Sequence, residues 1–103
     1  MRVAITRRGN YHADIYCADT HSAKRVLKEN SISVLAIDFY LNGRGDGKSI
    51  LEWARTKALL PQFVVITETD RSKRALLTTE LSKDGYASRD GTNFIKTKCD
   101  TGF

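Results

Sequence analysis

The sequence predicts a doubly wound α/β domain: a mainly parallel five-stranded sheet, order 2-1-3-4-5, with helices on both faces. Three observations predict it. Strand-like and helix-like segments alternate along the chain, the signature of a parallel sheet covered by helices. Two of the strand-like runs, Val34-Leu35-Ala36-Ile37 and Phe63-Val64-Val65-Ile66, are apolar at every position, as central parallel strands are. The chain has 103 residues, enough for one core and too few for two.

The elements follow in order. Val3-Ala4-Ile5 is a short apolar run ended by a turn-like stretch through Asn10. Asp14 to Ala18 alternates and is rich in strand formers. Asp19-Thr20 offers a helix cap, and Ala23, Val26 and Leu27 follow at helical spacing, with an end near Asn30. Val34 to Ile37 is the third strand. A glycine-rich stretch leads to a second helix whose inner face is Ile50, Leu51, Ala54 and Ala58, with Trp53 beside it. Pro61 separates that helix from the fourth strand, Phe63 to Ile66. Trp53 and Phe63 are expected in the core. Thr69 or Asp70 caps a third helix with Leu76, Leu77 and Leu81 inward, and Asp84-Gly85 stops it. Residues 1–103 thus form a single domain with a core over 2–85. In the remaining 86–103, Asn93 to Lys96 is the strand-like piece, as a fifth strand or half of a hairpin.

Composition narrows the function classes. Hydrophobic residues are 41% and charged residues 28%, as in globular domains. No apolar run approaches the roughly 20 residues of a membrane span, and the first residues lack the apolar stretch of a secretory signal. A cytoplasmic protein of a bacterial cell or a phage-infected host, with no membrane partner, is the expectation. Cys17 and Cys99 form no CxxC pair, so two separate thiols are expected, with a disulfide between them as the alternative. The net charge of +5 leaves two readings of the basic clusters: solvated helix faces, or attraction to a phosphorylated ligand or nucleic acid. His12 and His21 have no second ligand nearby in sequence and read as surface residues.

The segment Asn42 to Ser49, NGRGDGKS, sits one residue from a phosphate-binding loop, which asks for Gly, four free positions, then Gly-Lys-Ser. Asn42 stands where the first glycine belongs, and no acidic residue besides Glu68 offers itself as a magnesium ligand. The better parse starts at Asp38, which ends a buried strand at the carboxyl edge of the sheet, where α/β proteins place ligands. Thr67 ends the next strand, followed by Glu68 and Asp70, and Lys96 ends the last. An aspartate, a hydroxyl and a lysine at neighbouring strand ends make a candidate phosphoryl site.

At these residues the chain resembles the receiver domain, the flavodoxin/CheY-like fold of response regulators. Asp38 matches that family's phospho-accepting aspartate, Thr67 its hydroxyl residue, and Lys96 its lysine, although no proline follows. The loop and helix from Asn42 to Arg55 match in order. The cyclic-phosphate-processing receiver type is more similar still: Ala36 to Leu41 and Gly47 to Trp53 look like its strand-end and glycine-loop segments. The resemblance implies a site for Mg2+ or Mn2+ and phosphoryl chemistry centred on Asp38. It departs where both groups carry metal-binding acidic residues after the first strand, because Thr6, Arg7 and Arg8 stand there. A magnesium ion favours carboxylates and water in octahedral geometry, and Asp38 beside arginines offers little of that. A charge-assisted arginine pair would put a fixed positive charge in the metal's place.

The function expected is therefore a receiver-like module with a degenerate site, needing no cofactor, that regulates or binds a protein partner; bacterial signalling or a phage protein acting on a host target would suit it. Arg7, Arg8 and Lys48 are the candidate anion-binding residues. Phe39, Tyr40, Arg44, Glu68 and Asp70 are the candidate interaction residues, since exposed aromatics favour interfaces. Two alternatives stand beside it: a metal-dependent phosphoesterase or phospho-acceptor using Asp38, and a basic nucleic-acid-binding protein.

Overall fold

The computed structural model describes residues 1–7 and 12–96, and Arg8 and Cys99 lie outside them. The described residues form six strands and three helices: β1 (Arg2–Ile5), β2 (Ile15–Cys17), α1 (Thr20–Glu29), β3 (Val34–Ile37), α2 (Gly47–Thr56), β4 (Phe63–Ile66), α3 (Arg71–Lys83), β5 (Tyr86–Ala87) and β6 (Asn93–Lys96). The apolar runs became the parallel strands, and side chains flanking the helical patterns became the caps. Asp19, Asp46 and Asp70 each accept hydrogen bonds from amides of the first turn they precede.

The sheet order is β2-β1-β3-β4-β6-β5. The first four strands are parallel and in the expected order. The expected five-strand order 2-1-3-4-5 is wrong beyond them. A two-residue strand, β5, lies at the outer edge, and β6 inserts antiparallel between it and β4. A hairpin needs only a short turn, whereas a parallel fifth strand needs a crossover long enough for a helix. The Ser88–Thr92 turn supplies only the former. Asp90 makes it: its carboxylate accepts from the amides of Thr92 and Asn93 and from the Asn93 side chain, all at 2.9 Å. The amides of Asn93, then its side chain, hold Asp90 far below the usual carboxylate range.

One core fills the space between one sheet face and the helices. Val3, Ile5, Leu35, Ile37, Val64, Ile66 and Phe94 meet Ala23 and Leu27 of α1, Ile50, Leu51 and Ala54 of α2, and Leu77 and Leu81 of α3. The helix α2 packs between α1 and α3. Each crossover moves the chain the same way along the sheet, and right-handed crossovers then put successive helices on one side. The β1–β2 connection carries no helix among its described residues, so helices on both faces are not what these residues display.

That arrangement corrects three core assignments. Phe63 is 42% exposed, because in β4 it alternates with Val64 and Ile66 and points away from the helices. Leu76 is exposed beside buried Leu77, and Glu80 and Leu81 complete the inner face of α3 instead. Ala58 is exposed and outside α2, which ends at Thr56. Its φ of 56° puts it in the left-handed region, where the chain reverses and the Leu59 amide returns to the Ala54 carbonyl. Trp53 is half-buried against the core.

Candidate functional site

The carboxyl edge of the sheet brings together the first polar residue after each of three apolar strands. Thr6 follows β1, Asp38 follows β3 and Thr67 follows β4. The ladder continues one rung past the strands: the Asp38 amide donates to the Ile5 carbonyl at 2.9 Å, and the Thr67 amide to the Ile37 carbonyl at 3.0 Å. Alternation from Val3 and Ile5 in the core puts all three side chains on the sheet face away from the helices.

Asp38 is 2% exposed. The Thr6 hydroxyl donates to its Oδ2 at 2.5 Å, and the Thr67 hydroxyl donates to its Oδ1. A carboxylate removed from water needs such donors, and those to a charged acceptor are the strong ones. From the sequence, Thr6 is noted only as standing in an acidic residue's place, not as part of the site. The signal was present, since VAI-T, VLAI-D and FVVI-T share one form: an apolar run, then a residue able to hydrogen-bond.

Glu68, next along β4's exit, is also buried, at 5% exposed. Its Oε1 accepts from the Phe39 amide at 2.9 Å, and its Oε2 from the Thr69 and Asp70 amides at 3.1 Å each. Burial pushes its pKa up. The amides of Asp70, Phe39, Tyr40 and Thr69 outweigh that and hold it below the ordinary value of 4.5. Glu68 is therefore a bracket between the β3–α2 loop and the start of α3, with its carboxylate turned inward.

Arg74 ties the same edge to the hairpin. Its guanidinium donates to the Glu68 carbonyl at 2.7 Å, the Ile66 carbonyl at 3.3 Å, the Gly91 carbonyl at 2.6 Å and the Thr92 hydroxyl at 2.9 Å. The planar fork of arginine suits four acceptors spread over two segments.

The loop from Asp38 to Gly47 doubles back on itself. The Gly47 amide donates to the Phe39 carbonyl at 2.8 Å, and Tyr40 bridges to Asp46. Gly47 passes so close to the Asp38 backbone that a Cβ there would lie 2.1 Å from the Asp38 carbonyl oxygen. Asp46 caps α2 through the Ser49 amide at 2.9 Å, and the Ser49 hydroxyl sits 3.1 Å from the Asp46 amide. Amides that a phosphate-binding loop would aim at its ligand are thus committed inside the chain at Gly47 and Ser49. The Lys48 ammonium reaches Glu52 at 3.4 Å and the buried Glu80 at 3.8 Å, where Arg55 and Lys83 also converge. It faces carboxylates of α2 and α3.

Lys96 does not join the site. The antiparallel direction of β6 carries it to the opposite edge of the sheet, where its amide donates to the Gln62 carbonyl and its ammonium pairs with Asp84 at 3.6 Å. Arg7 is exposed just after Thr6, and Arg44 is exposed with its carbonyl accepting from the Thr20 hydroxyl at 3.0 Å.

The aromatic candidates divide. Phe39 is buried in the core cluster, whereas Tyr40 is 41% exposed. Their rings meet edge to face, with centroids 5.2 Å apart at 80°. The Lys73 ammonium lies 5.0 Å from the Phe39 centroid and 6.0 Å from that of Tyr40. The Tyr40 hydroxyl is 3.5 Å from Asp70, which caps α3 through the Ser72 amide. Phe39, Tyr40, Asp70 and Lys73 therefore form one connected cluster beside the Asp38 rung.

Among the described residues no group of three or more His, Cys, Asp or Glu side chains is placed to hold a metal ion. No helix among them is long and apolar enough to cross a membrane. No protein-family model matches the chain, and no curated protein matches it.

Proposed function

We propose that this chain is a small receiver-like module with a degenerate phosphoryl site, acting without catalysis by binding a protein partner through the surface around Tyr40 and the start of α3. The observation that carries this reading is the Asp38 carboxylate, each of whose oxygens accepts a threonine hydroxyl from a flanking strand. A carboxylate used this way is a strut between three strands, and its Thr6 partner stands where the resemblance calls for an acidic residue.

Two further observations support it. The parallel order β2-β1-β3-β4, with Asp38 ending β3 and a hydroxyl ending β4, matches the receiver arrangement over most of the sheet. The exposed Tyr40 ring is held by Phe39, Lys73 and Asp70, which lowers the ordering cost of contact with a partner. On this reading the domain is a reduced relative of the doubly wound architecture, with the three helices of the described residues covering one sheet face.

The test is affinity capture from bacterial lysate with the immobilised protein, compared with a Tyr40→Ala, Lys73→Glu double variant. Partners retained by the first and lost by the second are expected. Equal capture by both would place the interaction elsewhere. A magnesium titration decides the enzymatic alternative: a saturable response that disappears in Asp38→Asn would favour phosphoryl chemistry.

A further inference from the structure

The outer wall of α1 carries a feature unconnected with Asp38. His21, Lys24, Arg25 and Lys28 fall at spacings of three and four, which align them on one stripe of the helix. Ala23 and Leu27 take the opposite, buried face. Beside the stripe stands Trp53 of α2, the chain's single tryptophan. Together with Glu29 these residues line a cleft of about 420 Å³. The Lys24 ammonium lies 5.6 Å from the Trp53 ring centroid.

Three cations and one carboxylate, Glu29, line this cleft, leaving an excess of positive charge. Elsewhere four cations are gathered by carboxylates: Lys48, Arg55 and Lys83 at Glu80, and Lys96 at Asp84. Among the described residues no ion pair engages Lys24, Arg25 or Lys28, although Glu29 is four residues from Arg25. Like charges three and four apart on a helix repel. Here one of them, Lys24, lies over an aromatic ring that the core leaves half-covered.

We infer that the α1–α2 cleft binds a nucleotide unit, stacking an unpaired base on Trp53 and holding its phosphate with Lys24, Arg25 and Lys28. The volume falls within the range of small-ligand pockets. An aromatic platform flanked by arginine and lysine is the arrangement by which single-stranded nucleic acid is held without sequence preference. An acidic peptide would satisfy the cations and make no stacking use of the ring. A membrane surface would need apolar side chains projecting from the stripe, which has none. The inference is independent of the function proposed for the Tyr40 surface.

The chemistry is shared by a free mononucleotide and by a strand, and the experiment separates them. Because Trp53 is the sole tryptophan, its fluorescence reports on this cleft alone. The protein is titrated at low salt with adenosine monophosphate, with a short oligo-uridylate, and with ribose 5-phosphate as the control lacking a base. Saturable quenching by nucleotide or oligonucleotide, and none by ribose 5-phosphate, is expected. Tighter binding of the oligonucleotide identifies a strand as the ligand; equal binding identifies a free nucleotide. For a strand, three neutralised phosphates give a log–log salt slope of about −2. Lys24→Glu with Lys28→Glu should weaken binding at least about tenfold with the fold unchanged by circular dichroism. Arg25→Glu, read by anisotropy of a labelled oligonucleotide, is the second variant and should also weaken it. Absence of binding at low salt, ribose 5-phosphate binding as tightly as the nucleotide, a duplex binding more tightly than a single strand, or variants that bind unchanged would each overturn the inference.

Discussion

The hydroxyl of Thr67 and the carboxylate of Asp38 meet one rung beyond the last paired residues of β3 and β4, Ile37 and Ile66. The parallel ladder thus ends in a side-chain hydrogen bond, and Thr6 repeats it from β1. Replacing either threonine by valine keeps the shape and removes one donor from a buried carboxylate. We expect each of Thr6→Val and Thr67→Val to cost about 1–3 kcal/mol in urea unfolding. Combined with Asp38→Asn the losses should fall short of additive, because the residues share one network.

Gly47 is required by proximity. Its Cβ would meet the Asp38 carbonyl oxygen at 2.1 Å, and that obstacle is backbone. Gly47→Ala should destabilise by about 3 kcal/mol, the upper range for overpacking, and thermal unfolding will measure it. Gly43, with φ of 73° and open space around its Cβ position, should accept alanine at the smaller cost of left-handed backbone, about 1 kcal/mol.

Glu68 predicts an acid limit. Its carboxylate is held below its ordinary value of 4.5 by four backbone amides working against burial. A depressed pKa contributes stability that is present above the unfolded value and is lost as pH falls through the folded one. Stability should therefore decline as pH drops below about 4.5. Glu68→Gln should lower stability at neutral pH by about 2 kcal/mol and flatten that decline, as denaturant midpoints across the acid range will show.

Arg74 should govern the hairpin separately from the core. Arg74→Lys keeps the charge and loses the fork that spans Ile66, Glu68, Gly91 and Thr92. Amides of β5 and β6 should then exchange with solvent faster, while those of β1 and β3 keep their protection.

Ala58 stores strain at the end of α2, with φ of 56° on a residue that carries a Cβ. Ala58→Gly should raise stability by about 0.5–1 kcal/mol, read as a higher melting temperature.

The parallel half of the sheet and all three helices were legible because their signals are local. Apolar runs such as VLAI and FVVI mark strands, Asp19 and Asp70 mark two helix starts, and the Asp46 cap of the second emerged only in the structure. The direction of β6 was not legible: four residues, NFIK, carry no mark of whether they run with or against β4. The error moved Lys96 from one edge of the sheet to the other. Phe63 and Leu76 were misplaced because a run of consecutive apolar residues does not say which of its two faces a single helical layer will cover. Asp38 and Thr67 were found as strand-end polar residues. Thr6 ends its strand in the same form, and the register of β1 against β3 brings it to Asp38, 32 positions away.

The reversed course of β6 has a further consequence. A parallel last strand would have delivered its own end to the Asp38 edge, with its position dictated by the core. The hairpin instead delivers a turn, Ser88 to Thr92, pinned by Arg74 and shaped by Asp90. A turn accepts changes of length and side chain that a core strand cannot. The molecule therefore carries an adjustable rim on a fixed base, where new contacts can be tried one residue at a time while the packing beneath stays as it is.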